Sequence, residues 1–176
     1  MDKQAFDALL LKSVFACMAC DQHIDAQEMA HIRERSREKG LFGGLDVELE
    51  LKRLETELNE QGYGFFRSFF AELSAAGLDK EQELQLLEAS VDMVEANEEI
   101  DYAEVKFVKL IRSELKVSNE EILAANPAHE EYLKQDVIAV DPKKQLRSQF
   151  FVEESFPTIR IPPNPGDLGL ENSSDS

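Results

Sequence analysis

Two kinds of residue in this chain have the types and spacing for chemistry. Cys17-x-x-Cys20, with His23 three residues on, has the outline of half a zinc or thiol-redox site. Around it and again far downstream stand carboxylates in a shared order: "ACDQHIDAQE" carries Asp21, Asp25 and Glu28, and "EANEEIDYAE" carries Asn97, Asp101 and Glu104. Positions 97 and 21, 101 and 25, and 104 and 28 each differ by 76, so the pairing has one register. Under it Ile24 meets Ile100, Met29 meets Val105 and Ile32 meets Val108. Such a repeat points to duplicated units, at about 5–40 and 81–116.

The register weighs against cysteine chemistry. Cys17 and Cys20 fall on Met93 and Ala96, and His23 on Glu99, so a thiol or zinc site has no counterpart in the second unit. One CxxC also lacks the second ligand pair of a structural zinc site. The cysteines are therefore expected as small core residues.

Two readings of the repeated acids remain open. In the structural one, Asp25 and Asp101 are N-caps, Glu28 and Glu104 close capping boxes, and Ile24 and Ile100 pack on Met29 and Val105 as hydrophobic staples. In the functional one, the turns pack together and Asp21, Asp25, Glu28, Asn97, Asp101 and Glu104 converge. Carboxylates so placed raise one another's pKa or recruit a hard divalent cation, Ca²⁺ or Mg²⁺. An EF-hand loop fails on register, with Ala26 where the turn needs Gly and Ile32 where the bidentate Glu belongs.

The elements that must position these residues are helices. Apolar residues at three- and four-residue steps predict helices over about Lys3–Ala19 and Ala26–Lys39, the first with an apolar stripe through Phe6, Leu10, Val14 and Cys17. Further amphipathic helices follow in "DVELELKRLETELNEQG", "FFRSFFAELSAAG", "DKEQELQLLEASVDMVEA" and "DYAEVKFVKLIRSELKV". Ser118 with Glu121 starts a short helix, and Asn126-Pro127 another. The expectation is an all-α compact bundle of two duplicated helix-turn-helix units, about 7 to 8 helices over 1–134, with an irregular C-terminal tail. Residues 135–162 are expected to be extended, either docking on the domain or a partner or packing loosely; 163–176 are expected to be disordered.

Both turns, each between two apolar helices, resemble those of the TerB-like tellurite-resistance domain, which carry a pattern like A-D-G-x-I-x-x-x-E. The resemblance covers about residues 5–125. Its acidic pair corresponds to Asp21 and Glu28, and in the second unit Asn97 replaces the Asp while Glu104 is kept. Gln22 and Glu98 stand where the pattern has Gly. The resemblance implies a helical bundle with an acidic, metal-binding surface, in a stress-response or defence system.

Composition bounds the rest. With 36 Asp and Glu against 19 Lys and Arg, the net charge is -17, which disfavours nucleic acid and attracts cations or basic proteins. From Asp92 to Glu104 six acids occur with no Lys or Arg. No apolar run spans a bilayer, so a cytoplasmic protein without membrane insertion is expected. No phosphate loop, H-E-x-x-H or G-x-S-x-G occurs, so no enzyme is expected. Two functions compete: a non-catalytic cation-binding module, and an adaptor or inhibitor engaging a basic protein through its acidic face or residues 135–176.

Overall fold

A computed structural model describes residues 1–38, 40–134 and 156–164. Among them eight α-helices and one 3₁₀ turn follow in order: α1 (Lys3–Ala19), α2 (Ala26–Glu38), α3 (Val47–Gln61), α4 (Tyr63–Ala75), α5 (Lys80–Glu95), α6 (Tyr102–Glu114), α7 (Asn119–Ala125), the turn Pro127–His129, and α8 (Glu130–Leu133). The chain is an all-α bundle, and no described helix is long and apolar enough to cross a membrane. The segments "DVIAV" and most of "QFFVEESF", and the end beyond 164, lie outside the described residues.

Local signals set the helix starts. Asp2, Asp46 and Asp79 each accept from a backbone N–H in the first turn of the following helix, and Ser118 with Glu121 closes a capping box. The single residue between α3 and α4 is Gly62, whose φ of 56° suits a residue without a Cβ.

α1 departs from expectation. In place of one apolar stripe, every residue from Leu9 to Cys20 is buried. A helix covered on all sides is the bundle's centre, and α5, α6, α3 and α4 all pack on it. Its one buried cation, Lys12, lies over the Phe65 ring and pairs with Glu57 of α3 and Glu72 of α4, both at 3.0 Å. Phe65, Phe66, Phe69, Phe70 and Phe107 form an aromatic layer beside α1, as core and not as a stacking surface.

The duplication goes further than the turns. Asp7 of α1 is 3% exposed, and its Oδ2 accepts from Lys3 Nζ and from the Gly44 N–H in the loop after α2. Glu83 of α5, at the equivalent position, is 6% exposed and accepts from the N–H groups of Lys116 and Val117 after α6, at 2.8 and 2.7 Å. Each unit thus uses an acid early in its first helix to tie down the loop that leaves its second.

Candidate functional site

The two acidic turns, α1–α2 and α5–α6, meet beside the centre of the bundle. Their capping frames form as expected. Asp25 Oδ1 accepts from the Glu28 N–H at 2.8 Å, and Glu28 Oε2 accepts from the Asp25 N–H at 2.9 Å. Asp101 and Glu104 close the same reciprocal box at the start of α6. Each glutamate therefore has one oxygen spent on a cap and one left over.

The leftover oxygens face each other. Asn97 Nδ2 donates to Glu28 Oε1 at 3.2 Å and, more weakly, to Glu104 Oε1 at 3.5 Å. Glu28 is 2% exposed and Glu104 1%. Burial is the main force raising both carboxyl pKa values. For Glu28 the hydrogen bonds from the Asp25 N–H and Asn97 pull the other way. For Glu104 the hydrogen bond and charge of Glu28 add to burial, pushing it up to about 8. Two carboxylates bridged by one amide and this dry oppose each other's ionisation. The bridging Asn97 has its own Oδ1 buried without a hydrogen-bond partner.

Of the six residues expected to converge, the structure brings together three: Glu28, Asn97 and Glu104. Asp25 and Asp101 do not join them as ligands, because their side chains point to the helix N-termini as caps. Asp21 accepts from the His23 N–H at 2.9 Å, and burial with the charge of Asp101 raises its pKa. It acts on Glu104 through its charge. Among the described residues no three His, Cys, Asp or Glu side chains group as a metal-ligand set.

The turns differ where the repeat predicts likeness. Gln22 adopts φ 71°, the left-handed backbone that the glycine of the TerB-like pattern would favour, and its Nε2 donates to Tyr63 Oη at 2.7 Å. Glu98 has no such backbone. Ile24 is buried with Met29, as a staple requires, but Ile100 is 52% exposed, so the expected second staple does not close. Equal in length but more polar, "ANEE" leaves Ile100 and Tyr102 at the surface beside Glu98, Glu99 and Asp101.

The cysteines are core residues, as the register predicts. Cys17 is fully buried and Cys20 nearly so, and Cys20 Sγ lies 3.1 Å from the Cys17 carbonyl oxygen. Burial drives both thiol pKa values up, with the charge of Glu104 adding to each. A thiol held protonated is neither a nucleophile nor a ready metal ligand.

Sequence reasoning missed Asn59. Its side chain bonds both backbone groups of Ile159, with Nδ2 donating to the carbonyl at 2.7 Å and Oδ1 accepting from the N–H at 2.8 Å. The segment 156–164 thereby lies along α3, with Ile159 buried and Phe156 set edge-on to Tyr63. An exposed Asn inside a charged helix gives no periodic signal, and its use depends on a segment a hundred residues away.

Compared with protein-family models, curated proteins and solved structures, the chain finds no match in any of the three.

Proposed function

We propose that this chain is a non-catalytic acidic module of the TerB-like kind, serving a stress-response or defence system, whose paired turns take either a proton or a divalent cation. The observation that carries the reading is the Glu28–Asn97–Glu104 contact: two buried carboxylates face each other across one amide. Their charge must be neutralised. A proton does so below about pH 8, set by Glu104. Above that, a hard cation such as Ca²⁺ or Mg²⁺ offers the same relief.

The donor set fits such an ion in kind. Glu28 Oε1 and Glu104 Oε1 supply charge, and rotation of the Asn97 amide would present the partnerless Oδ1 in place of its NH₂. Water would complete the shell, as Mg²⁺ in particular favours. Thermal melts at pH 6 and pH 8.5 with Ca²⁺, Mg²⁺ or chelator test this. The expected result is a cation-dependent rise in Tm at pH 8.5 only, absent in Glu104→Gln. No rise with any ion at pH 8.5 would sink the cation half of the proposal.

A second reading has its own support: the chain as an adaptor for a basic protein. Ile100 and Tyr102 are exposed beside Glu98, Glu99 and Asp101, an apolar pair on an acidic turn, with Lys106 Nζ 4.3 Å from the Tyr102 ring centroid. Glu98→Lys with Glu99→Lys should then abolish co-purification of a partner while leaving the Tm unchanged. Undiminished capture would count against it.

A further inference from the structure

α2 is lightly held. Of its 13 residues only Glu28, Met29 and Ile32 are buried, so polar contacts decide much of how it sits on α5. One such contact is a cluster that joins the two units: His31 and Arg35, one turn apart on α2, and Asp92 on α5. Arg35 Nη2 donates to Asp92 Oδ1 at 2.6 Å, and His31 Nε2 lies 3.1 Å from Asp92 Oδ2. The same His31 nitrogen lies 3.4 Å from Arg35 Nε, with the Arg35 N–H directed at it.

These two contacts ask opposite things of one atom. Toward the carboxylate of Asp92, which only accepts, Nε2 must carry a proton; toward Arg35, which only donates, it must offer a lone pair. No single protonation state satisfies both. The cationic ring donates to Asp92 and sets its N–H against that of Arg35. The neutral ring with its proton on Nδ1 accepts from Arg35 and sets a lone pair against Asp92 Oδ2.

The surroundings leave that choice to the three groups themselves. Behind the ring lie Val14 of α1, Leu41 and Phe42 of the loop after α2, and Ala89 and Met93 of α5. All are apolar, and the gap they enclose, about 10 Å³, is at the lower limit for one water. At three- and four-residue steps from His31 and Asp92, the other charged side chains on the two helices are Glu28, Glu34, Glu88 and Glu95. Glu28 is engaged by the Asp25 N–H and Asn97, Glu95 accepts from Tyr132 Oη, and Glu34 and Glu88 are exposed.

We propose that His31 is a proton-operated latch between the two units: protonated, it clamps Asp92 together with Arg35 and holds α2 on α5; neutral, it turns to Arg35 and leaves Asp92 with one partner. Histidine is the residue type suited to such a role, since its charge ordinarily changes between pH 5 and 8. The latch does not rest on the cation reading of the acidic turns.

Nitrogen-15 NMR of the His31 ring in the full chain tests this at pH 5 and pH 8.5. At pH 8.5 the proton should sit on Nδ1 and leave Nε2 bare, the tautomer that Arg35 selects. In Arg35→Leu it should move to Nε2, because only Asp92 then remains to be satisfied. A proton on Nε2 of the unaltered chain at pH 8.5 would overturn the proposal, as would a tautomer indifferent to Arg35→Leu. Amide exchange reads the hold on α2, in the Glu104→Gln chain so that the acidic pair adds no pH dependence of its own. Corrected for intrinsic rates, protection of Met29 to Arg35 relative to α6 should be about threefold greater at pH 5 than at pH 8.5. Adding Asp92→Asn should bring that ratio to one. Equal protection at both pH values, or a ratio that survives Asp92→Asn, would also overturn it. Should a variant fail to fold, the ring tautomer of the unaltered chain at pH 8.5 decides.

Discussion

The two helix-turn-helix units share a frame and differ in what fills it. Both use an early acid to hold the departing loop, both open their second helix with an Asp–Glu capping box, and both bury that glutamate. Yet the first turn has Asp21, a left-handed Gln22 and a buried Ile24, whereas the second has Asn97, an ordinary Glu98 and an exposed Ile100. The lesson is that the duplicated parts build the fold, and the contact between the units depends on the place where they diverged. An Asp at position 97 would add a third carboxylate to the pair; the amide of Asn97 instead donates a hydrogen bond to both.

That comparison can be broken at several points. The largest effect is expected at the loop clamps. Glu83→Ala orphans two N–H groups, that of Val117 buried, and should cost about 3 kcal/mol, against about 2 kcal/mol for Asp7→Ala, which orphans one. Urea melts of both variants check this, and equal losses would mean that the clamps do not scale with their bonds.

Next is the pH dependence of the pair. Glu104 has its folded pKa raised to about 8 from an unfolded value of 4.5, so the folded state binds more protons between those values. Stability is then full below the unfolded pKa and is lost as pH rises through about 8. Melting curves without metal should show Tm falling from pH 5 to 8.5 by about 5 °C. Glu104→Gln should flatten that slope, and a slope of unchanged size would remove the pair as its source.

Smaller effects distinguish the turns themselves. Asp25→Ala and Asp101→Ala each remove an N-cap and should cost about 1 kcal/mol. The loss should be greater at Asp25, because the first unit's staple residues are buried and the second's Ile100 is not. The smallest effect is a gain: Gln22→Gly relieves a left-handed backbone at the cost of one exposed hydrogen bond to Tyr63, a net stabilisation of about 0.5 kcal/mol by thermal melt. A matching gain at Glu98→Gly would mean the turns are more alike than their backbones.

Much of the fold was legible because its signals are local. Caps at Asp101 and Ser118 and the glycine at 62 lie within a few residues of what they end or begin, so helix limits could be read from the chain. The repeat made Glu28 and Glu104 recognisable as a pair. The other site details were not legible, for different reasons. Which oxygen of each glutamate is spent on a cap, and hence which faces Asn97, depends on side-chain rotamers. The burial of α1 on every face depends on how many helices surround it, and an apolar-rich helix reads the same whether one face or all are covered. Asp7 and Glu83 were in register from the start, but an acid near a helix start is ordinary, and only the loop it reaches gives it a role.

The burial of α1 also bears on the order of events in synthesis. α1 is walled by α3, α4, α5 and α6, all of which are made after it. A growing chain that has released α1 but not those helices lacks the walls that cover Phe6 through Cys20. We predict that α1 amides exchange freely in nascent chains arrested before α5 and become the slowest of all once α6 has emerged. Protection of α1 in the shorter chains would refute that order. Of the helices in this bundle, the one made earliest would then be the last to become native.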